Sequence, residues 1–220
     1  MLPSDLSEWF QLSLRTANRS TFFMLWNTFL AIIPFALSLW LFRGRASSAS
    51  RSSIMRLSWW VGLCTFVAFL PNAPYVMTDI IHLVRFIREG APLWTVVLVL
   101  IPQYLIFILV GVEAYVASLI NLGHYLRRHG RRQWIRPAEL TLHALCAIGI
   151  YLGRFPRFNS WDIVTGPHRV AVYLVKALLT PESLAVMVVT AVIITAVYWP
   201  MKQVTLAIML YARSANKTAL

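Results

Sequence analysis

The hydrophobic pattern of the chain is dominated by five long apolar stretches. These are Phe22–Phe42, Leu57–Met77, Leu93–Ile120, Ala138–Phe155 and Leu184–Met201. Each is close to the ~20 residues that a helix needs to cross the hydrocarbon core of a bilayer. The stretches are continuously apolar, whereas the strands of a membrane barrel alternate apolar and polar residues. The pattern predicts an all-α fold, a polytopic transmembrane helical bundle with five crossings, as a single transmembrane domain over residues 1–220.

Two shorter segments have the pattern of helices that lie along the membrane surface. In Ser4–Thr16 apolar side chains recur every four residues from Leu6, which gives a helix one apolar face. Gly166–Leu179 begins with a Gly-Pro pair suited to a helix start. The alternative for this second segment is a sixth crossing, but Arg169 and Lys176 leave an uncharged run that is too short. We therefore expect both segments to form interfacial helices.

The composition supports a membrane protein and excludes several other classes. The chain is 59% hydrophobic and only 13% charged, and its mean hydropathy is +0.66. A soluble domain carries about 25% charged residues. Cytosolic enzyme folds and intrinsic disorder are therefore excluded. The net charge of +12 comes largely from arginines in short loops beside the apolar stretches, so we expect attraction to anionic lipid and no nucleic-acid partner.

The distribution of arginine predicts the orientation of the chain, because short cytoplasmic loops are enriched in Lys and Arg. Residues 43–56 contain four arginines and residues 127–136 contain five, and neither loop contains an acidic residue. The intervening loop Thr78–Pro92 balances its arginines with Asp79 and Glu89. Alternation then predicts an N-terminus outside and a C-terminus in the cytoplasm.

The second crossing has an unusual end. Pro71 and Pro74 lie close together there, and each removes a backbone donor and disturbs the helix one turn earlier. At membrane depth such backbone is tolerated only where it is buried in protein or lines a wet cavity. The sequence therefore predicts a kink or break. If the residues that follow are helical, Asp79, His82 and Arg85 share one face.

A second polar cluster follows the fourth crossing, on the same side of the membrane. We expect the two clusters and the first crossing to converge on one outward-facing vestibule, with Asn27 as its floor. The converging residues are Asn72, Asp79, His82, Arg154, Arg157, Asn159 and Asp162.

These two blocks also carry a family resemblance. Leu70–Tyr75 with Thr78, Asp79 and His82, and then Arg154 with Asn159–Asp162, resemble the two marked blocks of an uncharacterised bacterial integral-membrane family known as domain of unknown function 1361. The resemblance spans roughly residues 20 to 200. It implies a protein of the bacterial inner membrane, and it brings no established catalytic residue, substrate or cofactor.

Glu113 and His143 form a separate feature in the other half of the membrane. Glu113 lies inside the third crossing and His143 inside the fourth, at similar distances from the arginine-rich loop that joins them. An isolated carboxylate at such a depth costs a few kcal/mol. We therefore predict that the two side chains face each other as a buried ion pair.

The residue types at the vestibule suggest two kinds of chemistry. Asp79, His82 and Asp162 are hypothetical catalytic residues, because carboxylates and imidazole transfer protons. The alternatives are a capped interfacial helix for Asp79 and His82, and a capping box made by Asn159 and Asp162. No spacing typical of a metal site is present, so we predict neither metal nor cofactor.

The remaining residues suggest anion binding, because guanidinium groups bind phosphate or carboxylate through two hydrogen bonds. The alternatives are contacts with lipid headgroups and an aromatic belt at the membrane interface. The predicted anion- or substrate-binding set is Asn72, Tyr75, Arg154, Arg157, Asn159 and Trp161.

Three classes of function agree with the sequence, and whether the protein is an enzyme is left open. The first is a protein of unassigned activity that binds or acts on a lipid-linked anionic group in the outward-facing pocket, with membrane lipids as partners. The second is a small transporter or channel that uses Glu113 and His143, for which five crossings would need a homodimer. The third is a non-catalytic membrane scaffold or accessory subunit.

Overall fold

The computed structural model describes the backbone of residues 6–44 and 53–218, and in these ranges the chain is helical without strands. The all-α prediction is confirmed. Short π-helical or 3-10 segments extend or join several of the helices. The α-helices are α1 (Leu6–Ser38), α2 (Ser53–Phe69), α3 (Asn72–Tyr75), α4 (Ile80–Arg88), α5 (Leu93–Thr95), α6 (Ile101–Arg128), α7 (Ile135–Arg154), α8 (Asp162–Thr165), α9 (Pro167–Leu179) and α10 (Pro181–Thr218).

Four helical stretches among the described residues are long and apolar enough to cross a membrane. They are Thr21–Arg43, Arg56–Arg88, Leu93–Arg128 and Pro181–Ala212, and they contain four of the five predicted crossings. The protein is therefore a multi-pass membrane protein. The remaining predicted crossing, 138–155, corresponds to α7. Its 20 residues can reach across ~30 Å, but α7 is not one of the four apolar stretches, so the count of five stays a prediction.

The two predicted interfacial helices have different outcomes. Gly166–Leu179 does contain a separate helix, α9, outside the four apolar stretches. The prediction of a separate helix at Ser4–Thr16 is wrong, because α1 continues without interruption from Leu6 to Ser38. The residues between that segment and the first crossing include neither glycine nor proline, so nothing in the backbone ends the helix there.

The predicted break in the second crossing is present. Helix α2 ends at Phe69, α3 occupies only Asn72–Tyr75, and a 3-10 turn leads into α4. The Asn72 side-chain amide donates a hydrogen bond of 2.9 Å to the Phe69 carbonyl. That carbonyl is one of the acceptors that a helix end exposes, so Asn72 satisfies backbone that the break has freed. We refer to residues 70–79 as the broken segment.

Two glycines allow the broken segment to lie deep between α6 and α7. A Cβ atom on Gly149 of α7 would lie 2.5 Å from Cγ of Pro71, and one on Gly111 of α6 would lie 2.9 Å from the Ala73 carbonyl oxygen. Real Cβ atoms do not approach other atoms so closely. Ala73 and Val76 are consequently fully buried.

Helix α6 is central in the bundle and contacts α1, α3, α7 and α10. Helix α7 returns along it, and its 20 residues separate two ends of the molecule by about 30 Å. We call residues 43–44 and 127–136 the arginine-loop end, and residues 70–82 and 154–162 the Asp79 end.

We predict that Gly149→Ala destabilises the protein, because the added methyl group overlaps Pro71 and forces α7 away from the broken segment. Overpacking of this kind costs about 1–3 kcal/mol, so the thermal transition of the detergent-solubilised protein should fall by several degrees. Gly123→Ala is the matched control, since its Cβ would lie 3.7 Å from the nearest atom. Equal transitions for the two variants would contradict the predicted close approach.

Candidate functional site

The Asp79 carboxylate lies at the centre of the polar cluster. Asp79 is only 1% exposed to solvent. The Asn27 amide of α1 donates a hydrogen bond of 2.7 Å to Oδ2, while Nη1 of Arg154, at the end of α7, lies 3.5 Å from Oδ1. Because a buried carboxylate is stabilised by a cation and a hydrogen-bond donor, Asp79 links the broken segment to both helices.

Arg154 is used within the protein. Its guanidinium lies over the ring of Tyr75, 5.4 Å from the centroid, and Nη1 donates a hydrogen bond of 3.3 Å to the Tyr75 hydroxyl. Nη2 donates to the Thr78 carbonyl, in the 3-10 turn where backbone acceptors are poorly satisfied. Because Asp79 is its counter-ion, Arg154 mainly connects parts of the protein to each other. It is less suited to bind an external anion, which was the role that the sequence suggested.

His82 stands beside this cluster. Its Nε2 lies 3.8 Å from Oδ1 of Asp79, beyond hydrogen-bond distance. The imidazole ring packs 4.9 Å from the ring of Phe23, and the side chain is 30% exposed. Asp79 and His82 share a face, as predicted, and the described residues contain no group of three or more metal-ligating side chains.

A cavity of about 310 Å³ opens next to the cluster, and we call it the Asp79-end cavity. Its wall combines aromatic rings with neutral hydrogen-bonding groups. Asp79, His82 and Arg154 are not part of the wall, but Asn27 and Tyr75 line it and contact the cluster directly. The aromatic wall residues are Trp26, Phe69, Tyr75, Phe158 and Trp161, and the polar ones are Asn27, Asn72, Asn159 and Ser160.

The two sequence blocks meet across this cavity. The Asn72 amide donates to the Ser160 hydroxyl at 3.2 Å, and Arg154 reaches Tyr75 and Asp79. The structure thus brings together Asn27, Asn72, Tyr75, Asp79, His82 and Arg154, while Asn159 and Trp161 line the cavity. The catalytic and binding roles assigned to them remain predictions.

Asp162 has the environment of the capping-box alternative and not that of a catalytic group. Its Oδ2 accepts a hydrogen bond of 2.6 Å from the backbone N–H of Asn159, which is one half of a capping box. The carboxylate therefore stabilises the start of α8, and the contacts of Asp79 do not include it. Because its carboxylate is engaged in its own loop, the structure does not support Asp162 as a catalytic partner of Asp79 and His82.

Arg157 forms the turn that leads into this loop. Its φ angle is 61°, a left-handed conformation that only a few per cent of residues other than glycine adopt. The side chain is exposed and lies next in sequence to Phe158 in the cavity wall. Arg157 is thus at the rim of the cavity.

The predicted ion pair of Glu113 with His143 is wrong. The Thr205 hydroxyl of α10 lies 3.0 Å from each carboxylate oxygen of Glu113 and can donate its one hydrogen to either of them. His143 Nδ1 instead forms a hydrogen bond of 2.6 Å with the Tyr115 hydroxyl. Glu113 and Tyr115 lie two positions apart on α6 and so point in different directions. The depths of Glu113 and His143 match, but α6 turns Glu113 toward α10.

The ion pair that does form at this depth was missed from the sequence. Glu139 of α7 is buried and accepts hydrogen bonds from the Tyr198 hydroxyl, at 2.8 Å, and from the Lys202 ammonium, both on α10. The signal was present, because Glu139 lies at the start of the fourth apolar stretch and Lys202 directly follows the fifth. An acid and a base at matching depths of adjacent helices favour a pair.

We predict that Arg154→Met destabilises the protein by about 3 kcal/mol, because it leaves the Asp79 carboxylate buried without a cation. The thermal transition of the purified protein should fall clearly. Adding Asp79→Asn should restore much of the loss, since a neutral amide can keep the Asn27 contact without a counter-ion.

Arg157→Gln is the matched control for this experiment, because Arg157 lies only three residues further along the chain and is exposed. It should leave the transition nearly unchanged. If the stability losses of Arg154→Met and Asp79→Asn simply added in the double variant, Asp79 and Arg154 would not be energetically coupled.

The comparisons agree with the pattern of the two blocks. Curated proteins and solved structures give no match to the chain. The model of a family described as "Protein of unknown function (DUF1361)" matches residues 26–197. This range contains the Asp79-end cavity together with both blocks. The protein therefore belongs to the DUF1361 family.

Proposed function

We propose that the protein binds the polar headgroup of a lipid or lipid-linked molecule that carries an anionic group. The binding site is the Asp79-end cavity, and it faces the outside of a bacterial inner membrane. The observation that carries the proposal is the wall of this cavity, which combines aromatic rings with amide and hydroxyl groups at the end of a membrane-embedded bundle.

The wall is suited to a headgroup with both C–H faces and hydroxyls. Trp26 and Trp161 are each 49% exposed, so each has ring surface available to a ligand. Aromatic rings supply large apolar contacts, while a few placed polar groups fix orientation. The Asn27, Asn72 and Ser160 side chains provide neutral donors and acceptors in the same cavity.

A cation at the rim favours an anionic group on the ligand. Arg157 is exposed and adjoins the wall residue Phe158. Arg169 is exposed on α9 next in sequence to the wall residue Val170, although it does not line the cavity itself. Guanidinium groups bind phosphate through paired hydrogen bonds. Arg154 has a positioning role, because it is paired with Asp79 and holds Tyr75 in the wall.

The geometry favours binding over catalysis. A general base must come within hydrogen-bond distance of its substrate, whereas Asp79 and His82 lie outside the cavity wall. A transport path through Glu113 and His143 has lost its basis, because these residues take separate partners. We therefore propose that the site recognises the headgroup without making or breaking a covalent bond.

The orientation can be tested by cysteine labelling. In a variant with Cys64 and Cys146 replaced by alanine, Asn159→Cys should react with a membrane-impermeant maleimide in intact bacterial cells. His129→Cys, in the arginine-loop end, should react only after the cells are lysed. Asn159 and His129 are both exposed, so accessibility within the protein is matched. The reverse labelling pattern would place the cavity in the cytoplasm.

Headgroup binding can be tested by native mass spectrometry with added lipids of three kinds. Phosphatidylinositol carries a phosphate and a hydroxyl-rich ring, a diglucosyl diacylglycerol carries only sugar, and phosphatidylcholine carries neither a sugar nor a net charge. We expect phosphatidylinositol to bind about tenfold more tightly than the other two, a difference of about 1.4 kcal/mol.

The variants Trp161→Ala and Ser160→Ala should weaken this preference by removing one tightly held phosphatidylinositol per protein, without changing the thermal transition much. Val164→Ala is the matched control, because Val164 belongs to the same loop region, is 82% exposed and does not line the cavity. Equal affinity for all three lipids, or a preference unaffected by Trp161→Ala, would reject the proposal.

A further inference from the structure

A groove of about 530 Å³ lies near the arginine-loop end, far from the Asp79-end cavity. Its sides come from the end of the first crossing, α2, the last turns of α6 and the first turns of α7. The lining is apolar except for Thr141 and Arg131. We call it the arginine-end groove.

The groove lies at membrane depth on apolar helices. Phe66 and Val67 of α2 face Leu122 of α6 and Leu142 of α7 across it, and α2 belongs to a stretch apolar enough to cross the membrane. At the Asp79 end the broken segment fills the space beside α7, where Gly149 contacts Pro71. At the arginine-loop end, none of the residues in 6–44 and 53–218 fills the corresponding space.

The end of α6 fixes an arginine at one end of this groove. Gly130 has a φ angle of 70°, its N–H donates to the Arg127 carbonyl at 3.2 Å, and the Arg131 N–H donates to the Leu126 carbonyl at 2.9 Å. These two bonds define a Schellman motif, which brings the residue after the glycine against the third residue from the helix end. Here they are Arg131 and Leu126, and both line the groove.

The surroundings of Arg131 are those of a membrane–water boundary. Trp134 also lines the groove and is 58% exposed, and indole rings favour the headgroup level of a bilayer. The loop from residue 127 to residue 136 contains five arginines and no acidic residue. The local charge is therefore complementary to an anionic headgroup.

We infer that the arginine-end groove binds an anionic phospholipid. One acyl chain lies in the apolar groove, and the phosphate is held by Arg131 beside Trp134. An acyl chain matches the apolar lining, and only an anionic headgroup matches the arginines of the loop. A second copy of the chain would present its own arginine-rich loop here and meet like charge. This lipid is distinct from the ligand of the Asp79-end cavity, so either site can fail without the other.

The test is native mass spectrometry of the detergent-purified protein titrated with phosphatidylglycerol or phosphatidylcholine of the same acyl chains. All proteins in this test carry Trp161→Ala, so that the Asp79-end cavity does not contribute. On this background the protein should hold one phosphatidylglycerol at about a tenfold lower lipid concentration than phosphatidylcholine. Arg131→Gln should abolish this difference. Arg132→Gln is the matched control, because Arg132 is the next residue and does not line the groove.

A second variant tests the acyl-chain part of the inference without touching charge. Ala138→Trp places a large ring in the groove and should remove the tightly held lipid, whatever its headgroup. Leu145→Trp adds an equal ring on the same helix outside the groove and should not.

Three outcomes would overturn the inference. If Arg131→Gln and Arg132→Gln weakened phosphatidylglycerol binding equally, the lipid would be attracted by the overall positive charge of the loop and not held by Arg131. Retention of the lipid by Ala138→Trp would place it elsewhere. A dimer whose formation expels the lipid would make the groove an interface between copies.

Discussion

The buried carboxylate of Asp79 is the constraint on which the Asp79 end depends. A carboxylate among apolar helices is costly unless it is paired and hydrogen-bonded, and the partners here come from α1 and from the end of α7. The break in the second crossing turns the chain so that Asp79 points into the bundle. The same contacts hold Tyr75 and Asn27, and both of these side chains line the adjacent cavity. The need to pair the buried Asp79 carboxylate therefore shapes a cavity wall that carries no net charge of its own.

Much of this end could be predicted from the sequence. Pro71 and Pro74 predict the break, because two prolines three residues apart each remove a backbone donor and disturb the preceding turn. The alternation of arginine-rich loops puts residues 70–82 and 154–162 on one side, and depth along the first crossing adds Asn27. Each inference needs only residue types and distance along a helix. Their convergence follows from topology and not from any single motif.

The errors arose where rotation about a helix axis decides the contact. Glu113 and His143 match in depth, but α6 presents Glu113 to Thr205 and Tyr115 to His143. The packing of the helices sets this rotation about the helix axis, and it cannot be read from the sequence. The pair of Glu139 with Lys202 was missed for another reason, because its matching depth was visible in the sequence and was not used. Arg154 was expected to face a ligand, yet its guanidinium serves Asp79, Tyr75 and a backbone carbonyl. Residue chemistry predicts that a charge needs a partner, without saying which partner it takes.

The link between Asp79 and Arg154 also bears on the order in which the protein is made. The ribosome delivers Asn27 first, then Asp79 and His82, and only much later the guanidinium at the far end of α7. The ion pair of Asp79 with Arg154 can therefore form only after the whole of α7 has been made, later than every other contact of the Asp79 carboxylate.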